Sequence, residues 1–78
     1  MTPTIWDLLN DGDWACAHGD DDALERVALT LADRLDGAGA QLATRVAELA
    51  TIDLLAATAL WSSLCKSLRE EINPSRSV

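Results

Sequence analysis

Apolar residues recur at the helical period along residues 24–35, and this pattern constrains the fold more than any other feature. The stripe consists of Leu24, Val27, Ala28, Leu31 and Leu35. Steps of three and four residues keep such a stripe on one side of a helix. The acidic run 20–22 precedes it, where the partial positive charge of a helix N-terminus favours carboxylates. We predict a helix here that is ended by Gly37 and Gly39.

A shorter pattern of the same kind opens the chain. The apolar residues Ile5, Leu8 and Leu9 share one face, and the start of this helix is expected at Thr2 and Pro3 or at Thr4. We expect the helix to run to about Asn10, with Gly12 as a flexible stop. One further turn is expected from Asp13, as its cap, to Gly19.

The C-terminal half carries two stripes that do not line up. The first consists of Leu42, Val46 and Leu49, and the second of Leu54, Thr58, Trp61, Cys65, Leu68 and Ile72. The step from Leu49 to Leu54 rotates the buried face by about 140°. This favours two helices with a turn at residues 50–53 and Thr51 as the cap, although one long helix using two faces stays open. Asn73 and Pro74 are expected to end the last helix.

The composition supports an all-α fold. The chain has 13 Ala, 13 Leu and neither Phe nor Tyr, which favours helices over strands. We predict one domain over residues 1–74, a small antiparallel bundle of about four helices, followed by a flexible tail at 75–78. A chain of 78 residues buries little surface by itself, so we expect homodimerisation to complete the bundle.

Charge is distributed unevenly along the chain. The formal net charge is -7, and residues 1–25 hold seven acidic residues without any Lys or Arg, whereas the remainder is balanced. Such a field repels nucleic acid and anionic lipid and speeds encounter with a basic protein surface. We therefore expect a protein partner with a basic surface, no direct nucleic-acid binding and no membrane association.

Tryptophan within the acidic third supplies a candidate contact. An indole beside carboxylates can recognise a basic, partly apolar surface, because it offers contact area and stacks on Arg. Trp6 is expected in the core and Trp14 at the surface. The predicted partner-binding residues are Asp11, Asp13, Trp14, Asp20, Asp21 and Asp22.

Catalytic and metal-binding patterns are weak. Cys16 and His18 are suitable zinc ligands in type, but their spacing lacks the second ligand pair that structural zinc sites present. The sole His has no nucleophile at a recognised spacing apart from Cys16. We predict no enzyme activity and no cofactor. Two cysteines outside any paired motif, and an N-terminus without a secretory signal, favour the cytoplasm.

Three functions follow from these patterns. The first is an acidic regulator or inhibitor that binds another protein through its anionic N-terminal surface, for example a phage or mobile-element type of inhibitor occupying a basic nucleic-acid-binding surface. The second is a self-associating helical adaptor whose contacts are Leu54, Trp61 and Leu68. The third is a metal-responsive protein using Cys16 and His18.

Overall fold

The computed structural model describes residues 4–72, and the side chains of 4–70. Its four helices are α1 (Ile5–His18), α2 (Asp21–Arg34), α3 (Gly37–Ala50) and α4 (Leu54–Ile72). Within these residues no strand is present, which confirms the all-α prediction. Each helix packs on the next along the chain, and α4 closes the bundle against α1. The predicted tail and the helix-ending Asn73 and Pro74 lie outside the described residues.

Short polar side chains define where α1 and α2 begin. Thr4 forms a capping box with Asp7, because the Asp7 N–H donates to Thr4 Oγ1 and the Thr4 N–H donates to Asp7 Oδ2, both at 3.1 Å. The start expected at Thr4 is therefore confirmed. Asp20 Oδ1 accepts from the Ala23 N–H at 3.1 Å and caps α2.

The first helix is one uninterrupted element, so the predicted stop at Gly12 is wrong. Gly12 is buried within α1, and a Cβ built on it would overlap the six-membered ring of Trp61. The glycine thus serves the close approach of α4 to α1 rather than a turn. Asp13 does not cap a separate turn either, because it lies inside the same helix.

The α2–α3 connection also differs from the prediction. Helix α2 ends at Arg34 because Leu35 and Asp36 adopt extended backbone, and α3 begins at Gly37, where φ is 60°. Gly37 and Gly39 therefore belong to the start of α3 and do not end α2. A positive φ is costly for residues with a Cβ, which explains glycine at position 37.

Residues 40–72 form two helices, which confirms the preferred prediction over a single long one. The prediction that Thr51 caps the last helix is wrong, however. Thr51 follows the last residue of α3, whereas Asp53 Oδ1 accepts from the Ala56 N–H at 3.2 Å and so caps α4. The turn is closed by Leu49, whose carbonyl accepts from Ile52 N at 3.0 Å and from Asp53 N at 2.7 Å.

One core joins the four helices, and Trp61, 1% exposed, is its largest fully buried side chain. The α2 stripe is buried as predicted except for Leu35, which is half-buried. Helix α3 differs, since its buried residues are Ala43, Val46, Ala47 and Ala50. Leu42 and Leu49 pack only at the margin of the core. Small alanines at the centre let α2 and α4 approach α3 closely.

Gly12→Ala is expected to destabilise the fold by about 1 to 3 kcal/mol, because the added methyl overlaps the ring of Trp61 and forces it to move. Gly39→Ala is the matched control, since its Cβ would meet Leu35 at an ordinary 3.5 Å. Urea unfolding followed by circular dichroism measures both variants. Equal unfolding free energies for the two would contradict this account of Gly12.

Candidate protein-binding surface

One side of α1 faces away from the core and combines acidic with aromatic residues. Asp7, Asp11, Trp14 and His18 follow one another at steps of four, three and four residues and are all exposed. On the helix this strip is rotated by about 120° from the centre of the face that holds the buried residues. We call this set the α1 outer face. Residues 5–18 contain no Lys or Arg, so the helix supplies no cation to neutralise it.

Trp14 is held in place by His18. Its side chain is 54% exposed, and its ring stacks on the imidazole with centroids 4.1 Å apart and planes 21° from parallel. His18 Nδ1 lies 2.8 Å from the Trp14 carbonyl oxygen. A carbonyl can only accept, so Nδ1 carries the proton and donates. An indole fixed in this way loses less conformational entropy when a partner covers it.

Asp13 lies on another side of α1 and is engaged by α4. Its Oδ1 accepts from Trp61 Nε1 at 3.0 Å, and its Oδ2 accepts from Arg69 at 2.9 Å. Arg69 also balances its charge as an ion pair. Asp13 is one of the predicted docking residues, and the structure places its carboxylate against α4, where Arg69 partly balances its charge.

The acidic run at the start of α2 has two roles. Asp20 is half-buried and caps the helix, as described above. Asp21 and Asp22 are exposed, and Asp21 Oδ1 accepts from the Asp22 N–H at 2.9 Å. Their position at the helix N-terminus stabilises the two negative charges but leaves them facing solvent.

Contacts between α1 and α4 show that the two helices run antiparallel. Cys16, near the end of α1, lies near the side chain of Thr58, whereas Gly12, one turn earlier, approaches Trp61, which lies further along α4. The end of α1 and the start of α4 are therefore at the same end of the bundle. We define residues 18–22 and 51–55 as the acidic end. Its charged carboxylates are those of Asp20, Asp21, Asp22 and Asp53.

The predicted self-association residues do not form a surface. Trp61 and Leu68 are buried in the core of a single chain, and Leu54 is half-buried against it. The α4 stripe is wide because it packs on α1 as well as α3, and a second copy is not needed to cover it. Trp6 is predicted to lie in the core, but the structure shows that it is exposed.

The two predicted zinc ligands are used in other contacts. Cys16 is half-buried near Thr58, and His18 donates to the Trp14 carbonyl. Among the described residues, no three His, Cys, Asp or Glu side chains are grouped so as to hold a metal ion. Over residues 4–72, no helix is both long enough and apolar enough to cross a bilayer.

Neither Cys16 nor Cys65 is in a disulfide, and the pKa of each thiol is raised. Burial raises the pKa of Cys65 to about 12, and the nearby carboxylate of Asp13 contributes in the same direction. Burial also raises the pKa of the Cys16 thiol, partly offset by its hydrogen bond with Thr58. Each thiol is therefore a poor nucleophile at neutral pH, because the thiolate is the reactive form.

Sequence reasoning missed two features of this region. The stacking of His18 on Trp14 could have been found from their spacing of four residues, which places two side chains side by side on a helix. Ile52 and Leu55 are the most exposed large apolar side chains among the described residues, at 80% and 85%. No periodic signal identifies them, because both belong to the segment where one stripe replaces the other.

Comparison of the chain with protein-family models, curated protein sequences and solved structures finds no significant match. The functional proposal below is therefore based on the geometry and charge of the chain itself.

Asp13→Ala is expected to lower the free energy of unfolding by about 1 to 3 kcal/mol, because it leaves the indole N–H of buried Trp61 without its acceptor. Arg69→Gln removes only a half-exposed ion pair and is expected to cost less than about 1 kcal/mol. Urea unfolding compares the two. A larger loss for Arg69→Gln would show that the ion pair, and not the indole bond, holds α1 to α4.

Thiol labelling at pH 8 is expected to distinguish the two cysteines. In the Cys16→Ser variant, buried Cys65 stays unlabelled by a chromogenic disulfide reagent until denaturant is added, whereas in Cys65→Ser the half-buried Cys16 reacts slowly in the folded protein. Equal labelling rates in the two folded variants would contradict the burial of Cys65.

The raised pKa of Cys65 also predicts a pH effect. The folded chain holds this proton more tightly than the unfolded chain, so the stabilisation is complete below pH 9 and is lost as the pH rises towards about 12. Urea unfolding from pH 8 to 11 is expected to show a steeper loss for the wild type than for Cys65→Ser.

Proposed function

We propose that this chain is a protein-binding regulator, acting in the cytoplasm, that docks to a basic and partly apolar protein surface through the α1 outer face. The observation that carries the proposal is Trp14, which is half-exposed, stacked on His18 and one turn from the exposed carboxylate of Asp11. An exposed indole that is already held by a stacking neighbour offers a large contact area that a partner can bury.

Charge and contact area have separate roles in this proposal. The exposed carboxylates of Asp11, Asp21 and Asp22 attract a basic surface from a distance and raise the association rate. Trp14 supplies the short-range contact once the surfaces meet, since its large ring buries much area and its open face accepts an Arg guanidinium. Salt screens the long-range attraction by the carboxylates, but it does not screen the contact made by Trp14.

The acidic surface also fits an inhibitor of a nucleic-acid-binding protein. Carboxylates on the α1 outer face and at the acidic end would take positions that phosphates occupy on the partner, so the chain would compete with nucleic acid. Homodimerisation stays a separate proposal, but the stripe residues Leu54, Trp61 and Leu68 are not its contacts, because they pack inside one chain.

Trp14→Ala and Asp11→Asn are expected to weaken capture of the partner in different ways. Bait proteins immobilised at 50 mM salt are exposed to extract of the native cell, and retained proteins are quantified by mass spectrometry. The partner identified in this way is then purified for kinetics, where we expect Trp14→Ala to raise the dissociation constant at least about tenfold. Asp11→Asn is expected to lower the association rate about two- to fivefold, with little change in the dissociation rate.

Asp33→Asn is the matched control, since it removes one exposed charge from α2 and leaves the α1 outer face intact. It is expected to retain the partner as the wild type does. If Trp14→Ala also binds like the wild type, or if the association rate does not change between 50 and 300 mM salt, the proposed surface is wrong.

A further inference from the structure

Two large aliphatic side chains at the α3–α4 turn are exposed without a structural reason. Ile52 is 80% and Leu55 85% exposed, although the core lies directly beneath this turn at Ala50 and Ala57. Single exposed apolar residues are common on protein surfaces. Ile52 and Leu55 lie three positions apart and concentrate exposed aliphatic area at this turn, and we call the pair the spot.

The local helix start does not explain Ile52. Asp53 is the capping residue of α4, so Ile52 precedes the cap and Ala57 is the fourth helical residue after it. In many helices these two positions pack together and fix the direction of the incoming chain. Here Ala57 is fully buried while Ile52 points into solvent, so that packing is not made.

Leu55 is equally out of place on α4. The helical period puts it on the same side as Ala59, Ser62 and Lys66, all of which are exposed. This side of α4 is therefore a solvent face built from small and polar residues, and Leu55 is its one large aliphatic residue. A polar residue at this position would leave the described core unchanged.

Charge around the spot indicates what would cover it. Asp53 lies between the two aliphatic residues, and Asp20, Asp21 and Asp22 are at the same end of the bundle. Neither residues 18–25 nor residues 46–60 contain a Lys or Arg. A second copy docked symmetrically would bring these carboxylates against their own counterparts, which is unfavourable. An anionic lipid surface is repelled for the same reason.

We propose that Ile52 and Leu55 form a second docking contact, which inserts into an apolar depression rimmed by Lys or Arg on a protein partner. The inference rests on the proposed function and deepens it, because it gives that partner a basic rim around an apolar centre. The carboxylates of the acidic end pair with the rim, and the two aliphatic side chains fill the centre, as in interfaces with an apolar core and a polar border.

A pair of designed peptides tests this chemistry. The probe is a fluorescein-labelled 18-residue amphipathic helix of Leu and Lys, and its counterpart has every Leu replaced by Gln. Fluorescence anisotropy measures binding to the wild type and to the double variant Ile52→Ser, Leu55→Gln. We expect the double variant to bind the Leu/Lys peptide at least about tenfold more weakly, since two aliphatic groups no longer leave water. Binding of the Gln/Lys peptide is expected to be weaker and unaffected by the substitution.

Control variants separate this inference from the proposed function. Leu29→Gln removes an exposed leucine from α2 and is expected to bind the Leu/Lys peptide as the wild type does. If Trp14→Ala weakens binding while the Ile52 and Leu55 substitutions do not, the α1 outer face stands and the second contact is refuted. If only the Ile52 and Leu55 substitutions weaken binding, the turn is the docking site and the α1 outer face is not.

Two further outcomes would overturn the inference. Sedimentation of the wild type as a dimer, lost in the double variant, would assign the spot to a second copy of the chain. Binding of the wild type to phosphatidylcholine vesicles but not to the Leu/Lys peptide would assign it to a lipid surface. Circular dichroism of each variant confirms that the helices are retained, which is expected because both side chains are outside the core.

Discussion

The packing of Trp61 against Gly12 is the contact on which the closure of this bundle depends. The indole ring occupies the space where any residue other than glycine at position 12 would place its Cβ. The N–H of the same indole donates to Asp13, the next residue of α1. One side chain of α4 thus uses two adjacent residues of α1, one for shape and one for hydrogen bonding. Helix α1 packs mainly on α2, and this contact with α4 closes the remaining side of the bundle.

The same contact separates the acidic residues into structural and available ones. Asp13 is used inside the fold, where Trp61 and Arg69 satisfy its two oxygens. Asp20 and Asp53 cap helices and retain their charge near solvent. Asp11 is exposed on α1, and its carboxylate makes no hydrogen bond or ion pair within residues 4–70. The acidic N-terminal third is therefore less uniform in function than its sequence implies.

Exposed apolar side chains follow a related division. The sequence pattern predicts Trp61 and Leu68 as contacts between chains, but both are buried by packing within one chain. The aliphatic residues that do face solvent, Ile52 and Leu55, lie at a turn that no periodic stripe includes. Together with Trp14, which His18 holds in place, they are exposed apolar side chains on an acidic surface.

Local patterns in the sequence determined the helical class, the division of residues 40–72 into two helices, the start at Thr4 and the buried face of α2. These follow from steps of three and four residues and from capping side chains, which act over one or two turns. Tertiary structure alone decided that Gly12 continues a helix and that Asp13 faces α4. It also decided that Trp6 is exposed and that the α4 stripe is buried within the chain. Each of these depends on which residue of a distant helix lies opposite, and that relation has no periodic signature along the chain.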